Sequence, residues 1–544
     1  MNEREKSAWR RPLLVALAAT LPFLPGLRSP YFFDDLNTFT RNPAIANFDC
    51  FRFFTDATAF SVKFGNWPYR PLLLVVNALQ FKLFAANPFP GHLFQLFLHL
   101  LNSLLVMVMA EKVFGLRKGA LFAGVLFAIA PLQTQAVIYL SARSMVLAFP
   151  PALIAVIAAA QAAKMEKGQG RGFFWLALIA PLFAFFSSEG SLALVLWLTL
   201  VFIASGISLQ KRPAIYLLCA VAMEAVIFLI VRGMFSAPDS GPSNGVFHPY
   251  SFFQQFFLEL RTPLFMARLL AWPVHLSLLH DAAAPQSVMD LSVLLPFLGL
   301  GMVFLILIVF RRHRPLSLGL CWYLAALLPA VMVPLNIPWA EHRAYLALPG
   351  LAVAAAWVLE KILSLQEGSS RRWASALSRI MIAVIIACLA LLSAHRSWQW
   401  ESPQEIFKDA AKNAPEYDVP WNFLAAIAHD QGNCPRALTL LDLAIRRNPA
   451  FADAYNTRAD CLLKLGRLPE AGLAAKKATE LDPQNATYWN SLAVVLSLEK
   501  KWEEAEKASR TALDFLAPDD PNRPVIEETW RLIQQNQQAL KSGP

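Results

Sequence analysis

Eleven apolar stretches, each near the length that crosses a hydrocarbon layer, constrain this chain more than any other feature. They run near 12–28, 92–113, 117–131, 145–163, 172–187, 190–208, 213–233, 289–310, 316–335, 346–364 and 375–394. A backbone in lipid must satisfy its own hydrogen bonds, so such runs become helices. With 56% hydrophobic and 16% charged residues, the 544-residue chain cannot close as one soluble globule. The expectation is an all-α, polytopic helix bundle of about eleven spans. The first run lacks a small-residue cleavage site and is followed by many more, so it reads as a retained anchor.

Arg4, Lys6, Arg10 and Arg11 precede the first run and place the N-terminus in the cytoplasm. Alternating the loops from there collects basic residues inside: Lys112, Arg117 and Lys118; Lys164, Lys167 and Arg171; Lys211 and Arg212; Arg311, Arg312 and Arg314; Lys361, Arg371 and Arg372. The short outside loops hold only Arg143 and Arg343. Two outside segments are long, 29–91 and 234–288, and their amphipathic runs at 71–74 and 252–257 read as helices lying in the interface. From Trp398 onward there are 17 Lys and Arg against 21 Asp and Glu, leaving 31 against 17 for the rest. The basic excess therefore belongs to cytoplasmic loops and excludes nucleic-acid binding. The six scattered cysteines form neither a disulfide framework nor a metal spacing.

The second unit repeats. Pro415, Pro449 and Pro483 are 34 residues apart, aromatic residues Trp421, Tyr455 and Trp489 recur, and alanines stand where two helices must touch: 425, 437 and 444, then 459, 471 and 478, then 493, 505 and 512. That period and pattern are those of tetratricopeptide repeats, a helix-turn-helix solenoid that grips proteins. The expected domains are a membrane part over 1–397 and repeats over 398–544, with units at 415–448, 449–482 and 483–516 and a capping helix from Pro521. An odd number of spans puts the repeats outside the cytoplasm.

Chemistry-bearing residues gather at the extracytoplasmic ends of the spans. Asp34 and Asp35 follow the first run at once; His92 opens the second, with Gln95, His99 and Asn102 along the same face. For His99 and Asn102 the spacing points to hydrogen bonding between helices. Arg143, Glu189, Glu341, His342 and Arg343 stand at later outside turns. Such a crown suits a substrate with an anionic head and an apolar tail. A carboxylate can take the proton of an acceptor hydroxyl, while Arg and His stabilise charge on a departing phosphate. No nucleotide-binding loop is present, which agrees with a lipid-borne donor.

The order of motifs resembles a known family. Phe33-Asp34-Asp35 with Arg41-Asn42-Pro43, Tyr69-Arg70-Pro71, Asn87-Pro88-Phe89 before His92 and His99, Ala136-Val137 with Ser141 and Arg143, Ser188-Glu189, and Glu341-His342-Arg343 with Tyr345-Leu346 are similar to the transmembrane and tetratricopeptide-repeat O-mannosyltransferase-like proteins of the C-type glycosyltransferase fold. The resemblance implies an inverting transfer of mannose or another hexose from a polyprenyl- or dolichyl-phosphate carrier to an extracytoplasmic protein or glycan. Asp34 or Asp35 is the implied base, and Arg70, His92, Arg143, Glu189, Glu341, His342 and Arg343 the implied donor site. It also implies a bacterial-type member in the inner membrane. A divalent cation is the one cofactor left open, with no ligand set assigned.

One motif departs. The family's Pro-x-His-x-Glu-Ala-Val is here Pro131-Leu132-Gln133-Thr134-Gln135-Ala136-Val137, with amides replacing an imidazole and a carboxylate. Amides are not bases and are weaker metal ligands. The alternative expectation is thus a catalytically weakened, membrane-anchored scaffold whose repeats organise protein partners.

Overall fold

The computed structural model describes residues 3–61, 68–165, 170–205, 212–235, 251–281, 285, 287–332, 337, 339–367, 372–516, 520 and 522–541. Lys167, Lys211, Arg371 and Pro521, and parts of both long outside segments, fall outside them. The described residues are helical, with no strand among them. Two compact units divide the chain: one holds most residues up to Pro403, the other Gln404–Pro544 with Leu279–Asp281.

In the first unit a helix covers most of the described part of each of the eleven apolar stretches, the first of them only as far as Thr20. Among the described residues six helices are long and apolar enough to cross a membrane, or seven if one bent pair counts as a single span, and three more are apolar but shorter. In Leu291–Val309, Phe297, Leu298 and Phe304 are more than 60% exposed. A surface that apolar needs lipid, not water, so this is a multi-pass membrane protein. The first helix is Glu3–Thr20, not 12–28; Pro22 and Pro25 lack the N–H that would continue it, and tight turns carry the chain to Arg28. The runs at 71–74 and 252–257 open the helices Pro71–Phe84 and Phe252–Ala271.

The second unit is built of antiparallel pairs: Asp418–Asp430 with Cys434–Arg447, Ala452–Lys464 with Leu468–Leu481, and Ala486–Leu498 with Trp502–Asp514, followed by Arg523–Lys541. All nine recurrent alanines are completely buried, as close helix approach requires. Trp421 and Trp489 each donate the indole N–H to the carbonyl of the proline that opens their unit, at 3.0 and 2.7 Å. Every turn between paired helices needs one left-handed residue. Gly432 and Gly466 supply it, and in the third unit Lys500 does so at φ 60°.

Candidate functional site

The site is organised by a broken segment. The helix Gly119–Ile129 stops at Ala130, whose ψ of 122° is extended, and Pro131 starts a new turn bent 51° away. A second break follows at Tyr139, ψ 115°, before Leu140–Ala142 and the long helix Arg143–Lys164. Breaks free carbonyls that lipid cannot satisfy. His99 Nε2 donates to Ala128 O at 3.0 Å, Ser393 Oγ to Ile129 O at 2.7 Å, and Gln95 Nε2 to Tyr139 O at 3.0 Å and to Ala136 O. Asn102 donates to Val146 O at 3.0 Å and to the Tyr345 hydroxyl at 3.1 Å. The polar face of Phe89–Lys112 is therefore spent holding the break together.

The acid pair packs on that break. Phe33 adopts φ 56°, a conformation costing a non-glycine residue ~1–2 kcal/mol, and the two carboxylates that follow it take different partners. Asp35 is buried: Oδ1 accepts from the Ser141 N–H at 2.8 Å and its hydroxyl at 2.6 Å, and Oδ2 from the Phe32 N–H at 3.5 Å. Burial pushes its carboxyl up to about 7; the Ser141 and Phe32 hydrogen bonds oppose that shift, and Asp34 adds to it. Asp34 is only partly buried. The Tyr139 hydroxyl donates to Asp34 Oδ2 at 3.0 Å and accepts from the Asp34 N–H at 3.2 Å. Burial and both acids drive that phenol well above its ordinary range, so it stays a donor. Its ring is stacked against Trp400, centroids 5.8 Å apart, which fixes the hydroxyl.

A cationic group lies at the other end of the same segment. Arg70 pairs with Glu189 at 2.7 Å and donates to Ser144 Oγ at 3.2 Å, beside Arg143 in sequence. Glu189 also accepts from the Tyr69 N–H at 3.1 Å and lies 3.8 Å from Arg232. His342 is held by Gln135, whose Oε1 accepts from the His342 backbone N–H at 2.7 Å and faces Nδ1 at 3.3 Å. The backbone donor fixes that amide atom as oxygen, so Nδ1 carries the hydrogen and Nε2 is the acceptor. Burial, then the charges of Arg343 and Arg70, push the imidazole down to about 3. It is a neutral acceptor and not a cation. Arg343 interacts electrostatically with Glu259, which accepts from Gln255 at 3.1 Å and Thr262 at 2.8 Å.

Three expected members of an open crown are sealed instead. Arg143 is fully buried; it donates to Asn77 Oδ1 at 2.7 Å, Gly91 O at 3.2 Å and Gln95 Oε1 at 3.4 Å. The turn before it is packed, not a loop in water. Its charge interacts with Tyr31 and Asp35. His92 donates to Ser29 O at 2.9 Å, and Glu341 accepts from the Ser277 N–H at 2.6 Å. Tyr139, Arg232 and Glu259 have no local signal in the sequence; Ser141 stands in a motif, but its grip on Asp35 depends on the break. Among the described residues no three His, Cys, Asp or Glu side chains are grouped to hold a metal ion.

A tetratricopeptide repeat family profile matches residues 424–486. Protein O-mannosyl-transferase TMTC3 of Homo sapiens is 23% identical over 525 residues, covering 84% of this chain and 55% of that protein. Hsp70-Hsp90 organizing protein 1 of Glycine max is 35% identical over 125 residues, covering 22% of this chain and 21% of that protein. Among solved structures, ArnT from Cupriavidus metallidurans bound to undecaprenyl phosphate has 16% identity and a TM-score of 0.39, over 87% of this chain and 80% of that one. The chain spans about half the length of the O-mannosyl-transferase relatives it matches. By the order of its motifs and a similarity that runs through both units, it is a relative of the transmembrane and tetratricopeptide-repeat O-mannosyltransferase-like proteins.

Proposed function

We propose that this chain is an inverting membrane glycosyltransferase that moves mannose or another hexose from a polyprenyl-phosphate carrier to an extracytoplasmic protein or glycan. The observation that carries the reading is the division of labour in the acid pair: Asp35 is buried and locked by the Ser141 N–H and hydroxyl, while Asp34 is only partly buried and accepts from the Tyr139 hydroxyl. Asp34 takes the proton of the acceptor hydroxyl as its oxygen bonds the anomeric carbon. The bond from that carbon to the carrier phosphate breaks, with the electron pair leaving on phosphate. Arg70 and Arg343 supply positive charge for the phosphate, His342 Nε2 accepts from a substrate hydroxyl, and Glu189 orients Arg70. Asp35, neutral through part of the physiological range, spares the pair a second negative charge. Arg143, His92 and Glu341 hold the scaffold around the donor.

The residues at the Gln133–Gln135 turn do not fit a metal site, and no step is routed through a cation. The repeats, extracytoplasmic in this reading, recruit acceptor polypeptides beside the membrane, in a bacterial inner membrane with the N-terminus cytoplasmic. A second reading, a membrane-anchored scaffold with weakened catalysis, draws on the amides at Gln133 and Gln135; Gln133 is buried and its side chain donates to Phe127 O at 3.5 Å.

Replacing Asp34 by Asn keeps size and hydrogen bonding but removes the base. Sugar transfer by purified protein should fall about 10²- to 10⁴-fold with insertion unchanged. Turnover equal to wild type would remove Asp34 from the chemistry, and no turnover by the wild type with any polyprenyl-phosphate sugar would favour the scaffold.

A further inference from the structure

The spacing of the six cysteines shows no disulfide framework, but the fold brings two of them together. Cys434 and Cys461 are the two cysteines of the second unit. Cys434 opens the second helix of the first repeat, Cys434–Arg447, and Cys461 is the tenth residue of the helix that follows, Ala452–Lys464. The chain reverses direction at the short turn over 448–451 and the two helices pack on one another, so the start of one lies beside the end of the other. Both cysteines are buried in one apolar cluster with Ala437 and Leu441. The Cys461 thiol donates to the Cys434 sulfur, and both are reduced in this structure.

The repeat register shows what otherwise stands at such a junction. The residue that opens the second helix is Leu468 in the second repeat and Trp502 in the third. The tenth residue of the first helix is Ile427 in the first repeat and Val495 in the third. By register, the junction between the second and third repeats thus sets Leu468 against Val495, where the first junction sets cysteine against cysteine. Cysteine takes both halves of that pair and no other position in the unit. A thiol buries less apolar surface than Leu or Val, so packing alone does not account for the pair, whereas a bond between the sulfurs does.

We propose that Cys434 and Cys461 form an intramolecular disulfide that staples the first repeat to the second. The proposal rests on the extracytoplasmic reading of the repeats, because such bonds persist in oxidising compartments. The oxidant is a protein disulfide of that compartment. One cysteine thiolate attacks it to give a mixed disulfide, and the other thiolate then attacks the bridging sulfur of its neighbour. The S–S bond between Cys434 and Cys461 forms, the S–S bond of the oxidant is broken, and the oxidant leaves as a dithiol with the two electrons and two protons. Burial, then the neighbouring Cys434, hold the Cys461 thiol above its ordinary range, so exchange belongs to the folding chain, before the junction closes over both sulfurs. The bond closes a loop of about 28 residues and so restricts the unfolded chain.

The test uses full-length protein trapped with N-ethylmaleimide in denaturant directly from cells, its modified thiols counted by intact mass with and without prior reduction by a phosphine. Two of the six cysteines should stay unmodified unless the protein is reduced first. A tryptic digest of unreduced protein should contain the peptides 413–436 and 459–464 as one linked species. In detergent, the temperature at which heating exposes the repeats to trypsin should fall by about 10 °C on reduction. The double variant Cys434→Leu with Cys461→Val, which copies the next junction, should show no such shift. Six modified thiols without reduction, a linked species that joins other cysteines, or a wild-type shift no larger than the double variant's would overturn the staple. The first two readouts use the wild-type protein and stand even where the double variant fails to fold. A topology reporter after Arg396 separates the staple from the reading beneath it: six free thiols with an extracytoplasmic reporter discard the disulfide only, and a linked pair with a cytoplasmic reporter discards the placement only.

Discussion

Gln135 stands where the motif of the resembled family implies a carboxylate, and the geometry gives that difference a size. Its Oε1 lies 3.3 Å from His342 Nδ1. Converting Gln135 to Glu places a unit charge there; at an effective dielectric near 20 its attraction for a protonated ring is about 5 kcal/mol. Desolvating the new carboxylate offsets roughly half, leaving ~2–3 kcal/mol, or about two pK units. His342 should therefore rise from about 3 to roughly 5.

The sign follows from linkage. A histidine whose folded pKa lies below its unfolded value of about 6.5 contributes stability that is complete above that value and lost as pH falls through the folded one. In the wild type the loss extends from pH ~6.5 down to ~3; in Gln135→Glu it ends near 5. The variant's melting temperature relative to wild type should thus improve by several degrees between pH 7 and pH 4. The charged groups that act on the ring, Arg343 and Arg70, are common to both proteins and cancel in the difference. Differential scanning fluorimetry across that range measures it without assuming any activity. A difference independent of pH would refute the contact between residue 135 and the His342 ring. Where turnover is measurable, the variant's rate should gain an acid limb near pH 5 that the wild type lacks.

Asp35→Asn should flatten the pH dependence of stability between about 4 and 7: the wild-type carboxyl is raised above its unfolded value, so its contribution is present below pH ~4 and lost as pH rises through about 7; parallel wild-type and variant melting curves would contradict this. Lys500→Gly should stabilise the third repeat by about 0.5–1 kcal/mol, because Lys500 holds a φ that Gly432 and Gly466 adopt freely; urea unfolding followed by Trp fluorescence reads it, and no gain would refute the strain. A topology reporter after Arg396 should score extracytoplasmic and one near Arg314 cytoplasmic; repeats found in the cytoplasm would separate them from the proposed acceptors.

What could be read in advance follows from how local the physics is. Apolar runs and a 34-residue period are local patterns, so the helices at 89–112 and 143–164 and the nine buried alanines were legible residue by residue. Pro131 announces the first break in the buried segment. The second, at Tyr139, carries neither proline nor glycine, and exists because Gln95, 44 residues away, receives the freed carbonyl. That unannounced break turns Ser141 toward Asp35 and Tyr139 toward Asp34, and so distinguishes two adjacent acids that the sequence leaves equivalent. Arg143 misled for the same reason: its partners Asn77, Gln95 and Gly91 come from two other helices, and they turn a cation expected at an open mouth into a buried one. The segment from Gln135 to Ser144 touches His342, both acids and Arg70 in turn. An amide at Gln135 therefore leaves this framework whole while lowering the pH at which one ring takes up a proton, which is why the replacement bears on the acid–base balance of the site before it bears on its fold.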